Sequence, residues 1–310
     1  METPSTLQNA IIFFSDADRC FEYVKQLRWP DGNVSCPRCG SYDHWFIKTR
    51  RVWDCKGCKK QFSLKVGTIY EDSALKLDKW MVATWMITNC RNGVSSYELH
   101  RAIGVTQKTA WFMLHRIREV MKDTDVTPLS GEVEMDETFV GGKARNMHAK
   151  KRDEMHKKND GQFKGKTIVV GMLERNGRVK ASVVEARTRE VLHTLAHSSI
   201  ATGSTVMTDE HHPYRGMNFT HQVINHAEAY VRGNVHTNGI ESFWSMLKRS
   251  LGGTYISVEP FHLFRYIDEQ AFRFNNRKDC SDVDRFELAV RNVSGKRLTY
   301  GELTGNALPH

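Results

Sequence analysis

The sequence predicts a modular α/β protein in which two small modules precede a larger domain of strands and helices. Three observations carry this. Four cysteines fall into two C-x2-C pairs near the N-terminus, the apolar period becomes helical between Leu77 and Lys122, and strand-like and helix-like segments alternate beyond Gly131. The division expected is an N-terminal segment, 1–75, a helical module, 76–126, an α/β domain, 127–280, and a C-terminal tail, 281–310.

At about 100–200 residues per domain, 310 residues suffice for two or three. A hydrophobic content of 40% with 10% aromatics excludes a wholly disordered chain. No apolar run approaches the roughly 20 residues that cross a bilayer. The opening METPSTLQNAIIFFSDADRC carries acids and no basic leader, a poor secretory signal, so an intracellular protein is expected. Lys and Arg number 45 against 36 Asp and Glu, a formal charge of +9. Such an excess suits a polyanionic partner, and it also serves plain solubility.

Cys36-Pro37-Arg38-Cys39-Gly40 and Cys55-Lys56-Gly57-Cys58 are separated by fifteen residues. Two residues between cysteines let both thiolates of a tight turn face one ion, and Gly40 permits the turn. The segments Trp45–Ile47 and Arg51–Trp53 read as a hairpin joining the turns. Tetrahedral Zn2+ on Cys36, Cys39, Cys55 and Cys58 is expected, a zinc ribbon spanning 36–58; disulfides are the alternative. Four protein ligands leave no open position, so this metal is structural. Lys48, Arg50, Arg51, Lys56, Lys59 and Lys60 surround it and suit either nucleic acid or solvent. Cys20, Cys90 and Cys280 read as buried small hydrophobes.

In the helical module, Asp78 reads as an N-cap before Trp80, Ala83 and Ile87. Ser95-Ser96-Tyr97-Glu98 is a capping box opening a short helix, which Gly104 ends. Thr106 then caps a longer helix with the stripe Ala110, Met113, Leu114, Ile117, Val120. Short helix, tight turn and longer helix make a helix-turn-helix pattern, and any three-helix bundle looks similar. Gln107, Lys108, His115 and Arg118 are expected on its exposed face, where Lys108 and Arg118 would bind DNA.

After Thr127–Gly131 come strands over 132–140, 167–173, 179–184 and 204–207, with a helix near 189–197. Asp136 shares a strand face with Glu134, and Glu137 points to the other. Acids in so apolar a strand are costly unless they face water, a base or a cation. Asp209 stands at the C-terminal end of a core strand, and Glu241 opens a helix that ends near Gly252-Gly253. Two strand aspartates and one helix glutamate can hold hard divalent cations against a phosphodiester. The alternatives are structural: Asp209 capping a turn, and Glu241 completing a capping box with Asn238. Lys248 lies two turns beyond Glu241, about 10.5 Å along the same helix face. The Lys- and Arg-rich segment 142–166, which includes Lys143, reads as a DNA-gripping loop or a disordered insertion. Phe261–Asn275 has the period of a core helix.

The order ribbon, helix-turn-helix, Met135-Asp136-Glu137-Thr138-Phe139-Val140-Gly141-Gly142-Lys143, Thr208-Asp209 and Asn238-Gly239-Ile240-Glu241-Ser242-Phe243-Trp244-Ser245-Met246-Leu247-Lys248-Arg249 resembles bacterial insertion-sequence transposases. The similarity is to the group joining a zinc ribbon to an Asp-Asp-Glu catalytic domain, and Phe272-Arg273-Phe274-Asn275-Asn276-Arg277 shares it. It runs from about residue 15 to 280. The resemblance implies a ribonuclease H-like fold, Asp136, Asp209 and Glu241 as a triad binding Mg2+ or Mn2+, and Lys248 as a DNA-end contact. Asn238 is a second candidate for the third ligand. The implied activity is cutting at element ends and joining the 3′ ends to target DNA. Double-stranded DNA, a homodimer or higher oligomer, no membrane, and a cytoplasmic, nucleoid-associated place go with it. The rivals are a DNA-binding regulator without chemistry and a nuclease that cuts without joining. A regulator has no use for carboxylates on a strand face and strand end.

Overall fold

The computed structural model describes residues 3–141, 165–210, 212–224 and 236–305. They fall into two compact units, Met1–Lys122 with Asn276–His310, and Asp123–Asn275.

The first unit opens with helices α1 (Leu7–Ser15) and α2 (Ala17–Arg28), whose N–H groups are capped by the side chains of Thr6 and Asp16. A three-stranded antiparallel sheet follows, β1 (His44–Ile47), β2 (Val52–Cys55) and β3 (Gln61–Phe62). Its core is aromatic: Trp53 stacks on Phe21 at 5.6 Å and on Phe62 at 5.5 Å, and meets Trp29 edge-on. Helices α3 (Leu77–Asn89), α4 (Ser96–Ile103) and α5 (Gln107–Met121) come next. Ser95 and Glu98 form a reciprocal capping box, Gly104 ends α4 in the left-handed conformation, and Thr106 caps α5. Lys76, not Asp78, stands at the N-cap of α3.

Residues 281–305, expected as part of a tail, belong to the first unit. Their helix Asp282–Arg291 packs on α3, α2 and α5 and places Phe286, fully buried, against Phe14, Tyr23 and Trp85. The Tyr23 hydroxyl donates to Glu287, and Arg116 of α5 donates to the Leu298 carbonyl at 2.9 Å. An apolar stripe on this helix needs a partner, and α3 provides it; the expected separation of 1–75, 76–126 and 281–310 gives way to one body.

The second unit is built on a five-stranded sheet of β4 (Glu132–Val140), β5 (Thr167–Glu174), β6 (Val179–Val184), β7 (Thr205–Asp209) and β8 (Thr220–Ile224). The order is β6-β5-β4-β7-β8, with β4–β5 and β5–β6 antiparallel and β4–β7 and β7–β8 parallel. Alternation along β5 divides its side chains between two cores. Val169 and Leu173 face α7 (Asn238–Arg249) and α8 (Leu263–Asn275), with Ile240, Phe243, Leu247 and Phe274. Val170 and Met172 face α6 (Arg189–Ser199), with Leu192, Ala196 and Tyr214. Gly171 allows α7 to lie flush, since a Cβ there would stand 2.6 Å from the Trp244 ring. Strand β8 has no counterpart in the elements expected from sequence.

These units set where the chain can be cut. A fragment of residues 123–275 is expected to unfold in one cooperative thermal transition. Deleting 1–125 alone should expose the apolar face of the helix Asp282–Arg291 and give an aggregating protein in size-exclusion chromatography.

Candidate active site and metal centre

The four ribbon cysteines converge. Cys36 Sγ lies 3.8 Å from Cys58 Sγ, and Cys39 Sγ 3.6 Å from Cys55 Sγ. A zinc–sulfur bond of about 2.3 Å in a tetrahedron sets its sulfurs about 3.8 Å apart, far beyond a disulfide's roughly 2 Å. The turns are built alike: Gly40 N–H closes on the Cys36 carbonyl and Lys59 N–H on the Cys55 carbonyl, both with positive φ, +75° and +58°. Backbone N–H groups, led by that of Cys58, draw the Cys55 thiol down to about 7, which favours the thiolate that zinc binds. Structural zinc fits these residues. Of the other cysteines only Cys20 is buried; Cys90 is exposed and Cys280 half-buried.

The second cluster lies in the five-stranded unit. Carboxylate oxygens of Asp136, Glu137 and Asp209 lie within 4.8 Å of one another. The β4–β7 pairing ends at Glu134↔Met207, so these acids gather where the two strands part. Asp136 Oδ2 accepts from Trp244 Nε1 of α7 at 2.9 Å, and Glu134, on the same strand face, accepts from the Ile240 N–H. Glu137 turns to the α6 side, where the Tyr214 hydroxyl donates to it. Burial, then the negative charges of Glu137 and Asp209, push Asp136 up to about 7. Glu137 is also raised, burial leading and Asp209 adding to it, against the Tyr214 hydrogen bond. Such crowding is relieved by a proton or a hard cation, and all donors here are carboxylate oxygens, the set that suits Mg2+ or Mn2+.

Glu241 stands outside this group. It lies three residues before Trp244 on α7, half-buried, and its carboxylate accepts from the Thr237 hydroxyl at 3.0 Å. Thr237, not Asn238, occupies the N-cap position, and Asn238 is exposed. Lys248 is exposed in the last turn of the same helix.

Comparison with known proteins finds two domains in the chain. Residues 15–61 match the transposase zinc-ribbon domain, and residues 128–275 match the ISXO2-like transposase domain. These matches support a transposase, similar to the insertion-sequence transposases that join these two domains. An uncharacterized protein in transposable element ISH50 of Halobacterium salinarum is 29% identical over 252 residues, covering 77% of this chain and 84% of that protein.

In this transposase the residues expected to meet DNA have diverged. Lys108 is exposed at the start of α5, its ammonium 4.7 Å from the centre of the Tyr300 ring. Arg118 and His115, expected on the exposed face, are buried at 1% and 0%. A side chain so buried offers no surface to DNA, so the position of Arg118 does not support the contact expected of it. Lys143 and most of the basic segment 142–166 lie outside the described residues. Glu137 joins the carboxylate cluster although strand alternation sends it to the face opposite Asp136. The signal available was its position beside Asp136 in a strand already too acidic for a core. No helix among the described residues is long and apolar enough to cross a membrane.

Proposed function

We propose that this transposase cuts DNA at the ends of its element and joins the freed 3′ ends to target DNA, using divalent cations held by Asp136, Asp209 and Glu241. The observation that carries the reading is the gathering of Asp136, Glu137 and Asp209 within 4.8 Å at the parting of β4 and β7. The strand order supports a ribonuclease H-like fold for this unit. When bound, Mg2+ or Mn2+ supplies Lewis-acid stabilisation to the attacking and leaving oxygens of a phosphodiester. The chain's own residues prepare the site. Trp244 N–H and the Tyr214 hydroxyl fix the orientation of Asp136 and Glu137, and half-burial strengthens their hold on positive charge. Glu241, whose carboxylate accepts from the Thr237 hydroxyl, would be the third residue to hold the cation. Lys248 meets the phosphate backbone of the DNA end. Lys143 is a further proposed backbone contact.

DNA recognition is proposed for α4 and α5 as a helix-turn-helix, through exposed Lys108, Arg101 and Tyr97. Two ends must meet for joining, which calls for a homodimer or higher oligomer, and the substrate places the work at the nucleoid in the cytoplasm.

The test is strand transfer in vitro with Mg2+ and the DNA flanking the gene. Joined products are expected; cleavage alone would make this a nuclease, and end binding with neither would make it a regulator. Glu241→Gln should abolish both steps while Glu137→Gln leaves them within about tenfold. The reverse ranking would make Glu137 the third ligand. Lys108→Ala should weaken end binding and flatten its dependence on log salt by about one unit. Lys248→Ala should raise the DNA concentration needed for half-maximal cleavage with the Mn2+ requirement unchanged.

A further inference from the structure

The most fully buried acid of β4 is not in the carboxylate cluster. Glu134 is 1% exposed and stands two residues before Asp136 on the same strand face. One oxygen, Oε2, accepts from the backbone N–H of Ile240 at 3.0 Å, within the first turn of α7. The other, Oε1, lies 3.1 Å from Arg175 Nε and 3.3 Å from His236 Nδ1. Arg175 reaches on to Glu132 at 2.9 Å and donates to the His236 carbonyl at 3.1 Å. A single carboxylate thus ties β4, the turn after β5 and the chain entering α7.

Gly239 makes this approach possible. A Cβ at that position would stand 2.4 Å from Leu173 Cδ2 and 2.8 Å from Glu134 Oε2, closer than real contacts allow. One turn further along, Trp244 Nε1 reaches Asp136. Glu241 lies between these two anchors, Ile240 N–H on Glu134 and the Trp244 indole on Asp136, so any rise of the N-terminal turn carries Glu241 with it. A buried carboxylate is expensive unless fully partnered, and this one is partnered by groups whose placement matters to the metal site.

We infer that Glu134, with Gly239 and Arg175, is a positioning clamp that sets the height of α7 over β4 and so delivers Glu241 to the cation held by Asp136 and Asp209. The inference rests on the proposed metal-dependent reading of that site. Glu134 is a positioning residue and touches neither cation nor DNA.

The test uses the full chain carrying Glu134→Gln, Gly239→Ala, Glu241→Gln and the pairings of the first two with the third. Glu134→Gln keeps the volume and an acceptor for Ile240 N–H while removing the charge facing Arg175. Gly239→Ala keeps the charge and lifts the helix. Mn2+ binding is followed directly by electron paramagnetic resonance without DNA, beside cleavage rate, circular dichroism and melting temperature. Both single variants are expected to stay folded and to bind Mn2+ about tenfold or more weakly. In the Glu241→Gln background the further loss should fall below about twofold, because clamp and ligand act through one contact. Unchanged Mn2+ affinity in both variants, or losses that add fully to that of Glu241→Gln, would overturn the clamp. Collapse of the fold in both would overturn it as well, leaving a purely structural role. Failure of the underlying reading looks different: Asp136→Asn and Asp209→Asn would then retain Mn2+ binding and cleavage.

Discussion

Asp136→Asn should abolish cleavage and joining, by about a thousandfold or more, and yet raise the melting temperature of the metal-free protein near pH 8. Both effects have one cause. The carboxyl of Asp136 is held up at about 7 by burial and by the charges of Glu137 and Asp209, against an ordinary 3.8. Folding therefore favours its protonated form, so the stability it contributes is full below about pH 4 and lost as the pH rises through 7. An amide imitates the protonated carboxyl at every pH. The stabilisation should be a few degrees near pH 8 and vanish near pH 4, as a scanning fluorimetry series would show. Mn2+ should raise the melting temperature of the wild type most at the alkaline end, and that of Asp136→Asn little. The activity loss follows because cation stabilisation of the transition state is worth several kcal/mol. Asp209→Asn should match it in activity. A variant that neither gains stability at high pH nor loses activity would remove Asp136 from the site.

Local spacing made most of the pieces legible. The C-x2-C pairs depend on nothing beyond two turns, and the sulfurs stand where those turns put them. Ser95 and Thr106 cap the helices they precede because capping is a contact within three residues. The face shared by Glu134 and Asp136 follows from strand alternation. What sequence could not show depends on distant partners. Arg118 reads as a surface cation, yet the folded unit leaves it only 1% exposed. Glu137 reads as an acid on the face opposite Asp136, yet where β4 parts from β7 the two carboxylates lie within 4.8 Å of each other and of Asp209. Glu134 reads only as an acid on the face of Asp136, and its role shows once α7 brings the Ile240 N–H to it. These are properties of pairs far apart in the chain, and one-dimensional periodicity holds no record of them.

Cys39→Ser should empty the ribbon of zinc and dissolve the sheet that the metal holds. The argument starts from size: β1, β2 and β3 contribute four, four and two residues, too little sheet to fold on its own. Zinc on four thiolates contributes on the order of 10–16 kcal/mol in small zinc-folded domains, which is most of their stability. Serine removes one thiolate and leaves three, a set that binds less tightly and cannot close the tetrahedron. The wild type should carry about one zinc per chain by metal analysis, and Cys39→Ser close to none. Hydrogen exchange should then rise across residues 36–62 and in α2, since Phe21 and Trp29 pack on Trp53 of the ribbon. The unit Asp123–Asn275 has its own two cores and should keep its protection. Binding to element ends should fall by more than about tenfold, because the helices proposed to read DNA share a body with the ribbon. A Cys39→Ser protein with full zinc and unaltered exchange across 36–62 would show that the four cysteines are not the metal's ligands.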